Sequence, residues 1–289
     1  MALKDPSDAN LSDFDYELPA ERIAQTPLPV RDQSKLLVMR RSDGDIAGHR
    51  RFFEITEYLE PGDLLVVNET EVNARRLLGS RPSGGAAEVF LTHRIAQGRW
   101  QALVRPGKSL QVGARVLFER GLEAEIVGRS DERGGRIVQF SSPHPSVGLE
   151  EEIERQGRTP LPPYIQETPQ TEEQRSQIKA RYQTVYARDP GSAAAPTAGL
   201  HFTPGLIDAL ERKGVQIAKL TLHVGVGTFR PIATEDIRAH AMHAESVSIS
   251  EQTARMVEEA QGRIVAVGTT SLRALESAAV AKRRIRPGR

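Results

Sequence analysis

The sequence predicts an α/β protein in which a mixed α/β domain is interrupted by an inserted all-β barrel domain. Helix and strand patterns alternate at both ends of the chain, for example in the apolar run Leu64–Asn68 and in the helix–strand pair that follows Thr203. From about residue 74 the pattern changes to short β-rich runs with glycine-rich breaks and no helix between them. We therefore expect three segments: the first part of the α/β domain at 1–73, the inserted β-barrel at 74–150, and the second part of the α/β domain at 151–289.

Within the first segment, the pattern predicts a short helix at 19–25, a strand at 35–40, a helix at 52–59 and the strand Leu64–Asn68. The β-rich runs of the second segment lie at 88–94, 100–104, 114–119, 123–127 and 136–140, a spacing typical of a small antiparallel barrel or sandwich.

The third segment returns to alternating helices and strands. Thr171 and Gln174 form a capping-box pattern that predicts a helix through Tyr186. Thr203 is a helix-cap residue, Pro204 suits the first helical position and Gly214 ends the helix, with a strand at 215–224. A helix at 250–261, a strand at 263–267 and a last helix at 272–281 complete the pattern.

Composition limits the classes of protein that this chain can be. The 289 residues are 38% hydrophobic, which is enough to bury a core, and 39 basic against 38 acidic side chains give a formal charge of +1. Any nucleic-acid surface must therefore be local, and the absence of cysteine excludes disulfides and thiolate ligands. The N-terminal stretch lacks the apolar run of a signal peptide or membrane span, so we expect no membrane association and a cytoplasmic location.

Two features carry candidate chemistry. His201 and His223 each lie beside glycines at the ends of predicted elements, where backbone can approach a ligand closely. The sequence Gly268–Thr269–Thr270–Ser271 joins a strand to a helix, a junction that can hold an anion or a carboxylate.

The histidines also leave a metal site open, because His240, His243 and Glu245 follow in the chain and imidazole with carboxylate suits zinc or iron. The helical HExxH spacing is absent, which makes a metal-dependent hydrolase the weaker interpretation. Gly225 and Gly227 lack the third glycine of a dinucleotide fingerprint, and neither a GxSxG elbow nor a Walker A motif occurs.

Ordered blocks along the chain resemble one family. The blocks are FDYELP (14–19), VVNETEVNARRL (66–77), PLPPYI (160–165), RYQTVYA (181–187), AAPTAGLHFT (194–203), LHVGVGTFRPI (222–232), HAMHAE (240–245) and AVGTTSLRALES (266–277). In this order they are similar to the blocks of the S-adenosylmethionine:tRNA ribosyltransferase-isomerases of queuosine biosynthesis.

The resemblance implies an unusual use of S-adenosylmethionine, as a co-substrate that gives up its ribosyl moiety rather than its methyl group. That moiety is transferred to 7-aminomethyl-7-deazaguanine at the wobble position of a tRNA anticodon and isomerised, forming epoxyqueuosine with release of adenine and methionine. The family's α/β domain is interrupted by a β-barrel, and neither a metal nor another cofactor is expected. The expected partners are the anticodon stem-loop of tRNA and S-adenosylmethionine. The protein itself is expected to be a monomer.

Site residues follow from the matched blocks. We expect catalytic roles for His201, His223, His243 and Glu245, because a proton beside the sulfonium must be removed and adenine must be protonated. Binding of S-adenosylmethionine or the deazaguanine is expected at Thr197, Gly199, Phe202, Gly225, Gly227, Thr228, Phe229, Gly268, Thr269, Thr270 and Tyr182. RNA binding is expected at Arg75, Arg76 and Arg273.

The resemblance also sets an expectation for the end of the chain. Family members continue past AVGTTSLRALES with a Thr-Asn-Phe-His-Leu-Pro motif and an aromatic-rich segment, whereas this chain ends in KRRIRPGR. Strands supplied by that block would be missing from the sheet. An alternative function is therefore a truncated, inactive member that retains RNA binding only.

Overall fold

The computed structural model describes residues 10–73, 75–131, 134–144, 148–166, 171–229, 232 and 234–288. Its strands are, in chain order, β1 Lys35–Met39, β2 Ile46–Arg51, β3 Leu64–Asn68, β4 Thr70–Val72, β5 Arg76–Ser80, β6 Ala86–Ala96, β7 Arg99–Arg105, β8 Arg115–Leu117, β9 Glu123–Arg129, β10 Gly135–Ser141, β11 Asp189–Ser192, β12 Gln216–His223, β13 Ser246–Ser248, β14 Ile264–Ala266, β15 Ala279–Ala281 and β16 Arg284–Ile285. Its α-helices are α1 Leu149–Gln156, α2 Glu172–Arg181, α3 Pro204–Lys213, α4 Glu251–Glu259 and α5 Gly268–Ala278.

The described residues form two compact units, which we call the α/β unit and the barrel unit. The α/β unit contains those within 1–71, 161–168 and 183–289. The barrel unit contains those within 72–160 and 169–182, so that α1 and α2 belong to it. The fold class is therefore α/β with an inserted all-β barrel, as the sequence predicts.

The barrel unit is a closed antiparallel barrel with strand order β10-β7-β6-β5-β8-β9. Alternate residues of its strands, among them Leu77, Val89, Val116 and Ile126, point into a fully buried core. Closure leaves no free strand edge, which removes a site of edge-to-edge aggregation.

The α/β unit is built on a four-stranded sheet with the order β13-β12-β3-β14, in which β12 and β14 both run parallel to β3. Every residue of β3 is buried. Leu64 and Val66 pack in one cluster with α4 and α5, and Leu65 and Val67 pack in another with α3. The continuous apolar run of β3 is thus explained by helices on both faces of the sheet.

Local sequence determines α3 as expected. The Thr203 hydroxyl accepts a hydrogen bond from Leu206 N at 3.2 Å, Pro204 occupies the first turn, and Gly214 ends the helix with φ of 92°. A side chain at Gly214 would be strained at this φ, so glycine is required there.

Other helix boundaries differ from the sequence-based expectation. The helix begun by Thr171 ends at Arg181 rather than Tyr186, because Tyr182 caps it with a non-helical φ of −89° and ψ of 34°. The segment expected as a helix at 52–59 is the 3₁₀-helix Phe52–Glu57, and α4 ends at Glu259. Helix α5 begins at Gly268, so the Gly-Thr-Thr-Ser sequence forms its first turn, and the residues after Ala278 form the β15–β16 hairpin.

Among the described residues, the helices are too short or too polar to cross a membrane.

The start of the parallel sheet is held by an ion pair between Asp63 and Arg263, the residues that precede β3 and β14. Asp63 Oδ1 accepts a hydrogen bond from Arg263 N at 2.7 Å, and Oδ2 accepts one from Arg263 Nη2 at 2.5 Å. The Arg263 guanidinium, with help from the Glu60 and Arg263 backbone N–H groups, lowers the pKa of Asp63 to about 2.

We predict that Asp63→Asn lowers the free energy of unfolding at neutral pH by about 1–2 kcal/mol, because charge-assisted bonds are lost. Since the pKa of Asp63 falls from 3.8 to about 2 on folding, its contribution is complete above pH 3.8 and is lost as the pH falls towards about 2. The difference between the two proteins in urea titrations should therefore narrow below about pH 4. Asp208→Asn, at an exposed position of α3, is the control and should be neutral. A constant difference down to low pH would contradict this account.

Candidate functional site

The carboxyl ends of β3, β12 and β14 lie at one edge of the parallel sheet, where ligands bind in open α/β folds. Asn68, the last residue of β3, is 1% exposed and connects two of these ends. Its Nδ2 donates to Leu222 O at 2.9 Å, and its Oδ1 accepts from Leu222 N at 3.0 Å and Thr70 N at 3.1 Å. The amide therefore fixes the backbone from which the neighbouring site residues extend.

His223 is the last residue of β12 and lies at this edge. Its Nδ1 is 2.8 Å from the hydroxyl oxygen of buried Thr70, and its Nε2 is 3.9 Å from Oδ2 of Asp189. A methyl group placed on Gly191 would lie 2.7 Å from Cε1 of His223, so the backbone of β11 passes directly against the imidazole. Close packing and two polar partners hold the ring in one orientation.

A second constellation joins His243, Glu245 and Arg273. Glu245, whose side chain is 5% exposed, accepts a hydrogen bond from Arg273 Nη1 at 2.6 Å and one from Gly225 N at 3.0 Å. His243 Nε2 is 3.3 Å from the Glu245 carboxylate, and Arg273 Nη2 donates to the His243 carbonyl at 2.7 Å. A methyl group on Gly227 would lie 2.5 Å from Nδ1 of His243, so the glycine turn after β12 covers this imidazole.

His201 ends the 3₁₀-helix Thr197–His201. Its Nδ1 is 3.1 Å from the carbonyl oxygen of Ala198, and its ring centroid is 5.1 Å from that of Phe52. Donation from Nδ1 to this carbonyl leaves Nε2 as an acceptor, the state that a general base requires.

The first turn of α5 forms the third part of the edge. Gly268 has φ of 83° and no side chain caps the helix, so the backbone N–H groups of this turn have no side-chain acceptor at the cap. The hydroxyl oxygens of Thr270 and Ser271 are buried and have no partner among the described residues, whereas Thr269 is exposed. This turn has the N–H and hydroxyl groups that an anion or carboxylate needs.

A family model described as "Queuosine biosynthesis protein" matches residues 11–288 of the chain. The chain is 52% identical over 284 residues to the S-adenosylmethionine:tRNA ribosyltransferase-isomerase of Pelotomaculum thermopropionicum, covering 96% of this chain and 80% of that protein. It is 51% identical to the protein of the same name from Symbiobacterium thermophilum, again covering 96% and 80%. This chain belongs to the queuosine biosynthesis protein family.

A crystal structure of S-adenosylmethionine tRNA ribosyltransferase from Thermotoga maritima is also similar, with 33% identity, coverage of 96% of this chain and 77% of that chain, and a TM-score of 0.42. The relatives favour neither a metal-dependent hydrolase nor a function limited to RNA binding. Among the described residues, no three histidine or acidic side chains come together as metal ligands would.

For this member of the queuosine biosynthesis family, the structure places most of the expected site residues in the α/β unit. Thr197 and Thr228 are exposed, and Gly199, Gly225 and Gly227 pack against the site's aromatic rings. The ring of Phe202, expected to stack on a base, is 1% exposed and belongs to the core beside α3. The side chain of Phe229 lies outside the described residues.

The expected RNA-binding residues have partners within the protein. Arg75 lies 5.7 Å from the Trp100 ring centroid and donates to Thr92 O, and Arg76 pairs with Glu88 at 2.8 Å. Burial lowers the pKa of Arg75. Tyr182 is a buried residue of the barrel unit, at the end of α2. Arg273 is bound to Glu245 and to the His243 carbonyl, and its side chain remains 36% exposed.

Sequence reasoning did not select Asn68, Glu69, Thr70, Asp189 or Tyr186. A signal for the first three exists, since they follow the buried strand β3 directly and polar residues there lie at the ligand-binding edge. No local signal indicates Asp189 or Tyr186, which reach the edge through tertiary contacts.

We predict that Gly191→Ala displaces the His223 ring, because an ordinary van der Waals contact needs about 3.4 Å or more and the methyl group would lie at 2.7 Å. Long-range ¹H–¹⁵N spectra of the imidazoles should show a shift of the His223 resonances. Gly205→Ala is the matched control, since a methyl group there meets open space in the first turn of α3. Unchanged His223 resonances in Gly191→Ala would contradict this packing.

Proposed function

We propose that this chain transfers and isomerises the ribosyl moiety of S-adenosylmethionine onto 7-aminomethyl-7-deazaguanine in the wobble position of tRNA, forming epoxyqueuosine. The observation that carries the proposal is the family match over residues 11–288, and three of the ordered blocks, at 66–77, 222–232 and 266–277, contain the ends of β3, β12 and β14 at one edge of the parallel sheet. S-adenosylmethionine is a co-substrate, and adenine and methionine are the released products.

The chemistry requires proton removal at the carbon beside the sulfonium and proton delivery to the departing adenine. His223 and His201 are the imidazoles best suited to these steps, because each has one ring nitrogen held by an oxygen partner. The Asp189 carboxylate, with Oδ2 3.9 Å from Nε2 of His223, lies on the other side of this ring from Thr70.

Glu245 and His243 have a different role in this proposal. The two carboxylate oxygens of Glu245 are occupied by Arg273 and by the Gly225 N–H, and its remaining neighbour is His243. We assign Glu245 and Arg273 the positioning of His243 and of the glycine turn. The first turn of α5, from Gly268 to Ser271, suits the methionine carboxylate.

Arginines of the barrel unit supply the phosphate contacts in this proposal. Arg158 and Arg76 exchange backbone hydrogen bonds at 2.7 and 3.2 Å. Burial lowers the pKa of Arg158, and the nearby positive charges of Arg175 and Arg76 lower it further. Like-charged guanidinium groups held together in this way are stabilised by an anion, and RNA phosphates bind such groups without regard to sequence.

A tRNA substrate supports a cytoplasmic location, and the α/β unit of one chain contains the two imidazoles assigned to proton transfer, His201 and His223. We therefore propose a cytoplasmic monomer, which sedimentation at assay concentrations tests.

We predict that the wild-type chain releases one adenine and one methionine per modified tRNA in a single-turnover assay. His223→Gln should lower the rate by about 100- to 10,000-fold, because an acid–base group is removed. His93→Gln, an exposed position on β6, serves as the control and should keep the wild-type rate. Binding of tRNA without any release of adenine by the wild-type chain would disprove the proposed function.

We predict that Arg158→Gln weakens tRNA binding and reduces the slope of log affinity against log salt by about 0.7–0.9, the loss of one phosphate contact. Fluorescence anisotropy over a series of KCl concentrations measures this slope. Arg115→Gln removes an arginine of the same unit that pairs with Glu123, and the slope should be retained. Equal slopes for Arg158→Gln and the wild type would place the phosphate contacts elsewhere.

A further inference from the structure

Glu69, the residue after β3, has a carboxylate oxygen whose surroundings are unusual. Its Oε2 is buried and has no hydrogen-bond partner among the described residues. Buried polar atoms are nearly always paired, since an unpaired one costs about 1–3 kcal/mol and a charged one costs more. This acceptor, at the ligand-binding edge of the sheet and unpaired among the described residues, is suited to a hydrogen-bond donor on a ligand.

The backbone of Glu69 is fixed on both sides. Its N–H donates to Leu220 O at 2.9 Å, and its carbonyl accepts from Arg188 N at 2.8 Å and from Asp189 N at 3.2 Å. These bonds hold the segment that precedes β11 against the end of β3. The carboxylate is therefore presented at a defined position rather than on a free loop.

Further open oxygens lie on that segment. The hydroxyl oxygens of Thr184 and Tyr186 are buried and have no partner among the described residues. Burial also raises the pKa of Tyr186, so that its phenol remains a neutral donor and acceptor. A methyl group on Gly199 would collide with the Tyr186 hydroxyl and lie 2.9 Å from Cγ2 of Thr184, which places these side chains against the 3₁₀-helix Thr197–His201.

The same 3₁₀-helix meets the start of α5. A methyl group on Gly268 would lie 3.2 Å from Cβ of Ala198, the residue before Gly199. Two residues after Gly268, the hydroxyl oxygen of Thr270 is also buried and has no partner among the described residues. Open polar atoms thus occur on two segments that pack against this 3₁₀-helix, as in a binding site for a ligand rich in hydrogen-bonding groups.

We infer that Glu69 is a substrate-binding residue, whose Oε2 accepts hydrogen bonds from a pair of donors on a substrate, with Thr184, Tyr186 and Thr270 completing the site. This inference rests on the proposed function. Two groups offer paired donors: the vicinal hydroxyls of the ribosyl group of S-adenosylmethionine, and the N–H donors on the edge of the 7-deazaguanine base. A carboxylate accepts from either pair in the same way.

Glu69 differs in this respect from Glu245, another acidic residue at the edge. The oxygens of Glu245 are occupied by Arg273 and Gly225, whereas Oε2 of Glu69 is open. The structure thus separates a carboxylate that positions protein groups from one that receives a ligand.

The test is Glu69→Gln, which keeps the size of the side chain but replaces an acceptor by an N–H donor. Calorimetry measures the affinity for S-adenosylmethionine alone, and anisotropy measures the affinity for tRNA that carries 7-aminomethyl-7-deazaguanine. We expect one of the two affinities to fall by about 10- to 100-fold, the value of a hydrogen bond to a charged group. A fall for S-adenosylmethionine identifies the ribosyl hydroxyls, and a fall for tRNA identifies the base.

Glu71→Gln is the matched control on β4, two residues further along the chain, and should leave both affinities unchanged. If Glu69→Gln does not fold, as judged by circular dichroism, Glu69→Asp is the second variant. It retains the charge, but its side chain is shorter, so the carboxylate lies farther from the donors and the same affinity should fall. If both affinities of Glu69→Gln lie within about two-fold of those of the wild-type protein, this inference is overturned. The proposed function is still supported in that case if the wild-type protein modifies tRNA. A wild-type chain that binds tRNA but releases no adenine from S-adenosylmethionine would overturn both.

Discussion

The parallel pairing of β3 with β12 and β14 is the interaction on which the site depends. Because β3 is buried on both faces, its register with the two neighbouring strands is fixed by packing as well as by backbone hydrogen bonds. Parallel strands end at the same edge, so three segments that are distant in the chain deliver their side chains to one place. Asn68 then joins the ends of β3 and β12 through its buried amide.

Glycines are important at this edge because they have no side chain. Gly191 and Gly227 allow backbone to lie directly against the rings of His223 and His243, and Gly199 does the same for Tyr186. Such contacts exclude alternative ring positions, which reduces the reorganisation needed when a substrate binds. Of these three rings, those of His223 and His243 were expected at the site from the sequence, and that of Tyr186 was not.

The carboxylate that is paired with an arginine is distinct from the polar oxygens that have no partner among the described residues. Arg273 neutralises Glu245 and holds it through a short charge-assisted bond, which keeps the loop between β12 and β13 attached to α5. The open oxygens near Glu69 carry no such partner among the described residues. At this edge of the sheet, the acceptors and donors without a partner among the described residues are available to a ligand.

The sequence by itself determined the α/β class, the inserted barrel, most strand positions and the helix α3, because caps, prolines, glycines and apolar periodicity act over a few residues. It also determined the family, since eight ordered blocks are specific as a set. Tertiary structure alone decided that Arg273 binds Glu245, that Phe202 is a core residue, and that Tyr186 packs against Gly199 of the 3₁₀-helix Thr197–His201. These roles depend on which strands become neighbours, and that is fixed by burial across the whole sheet rather than by any local pattern.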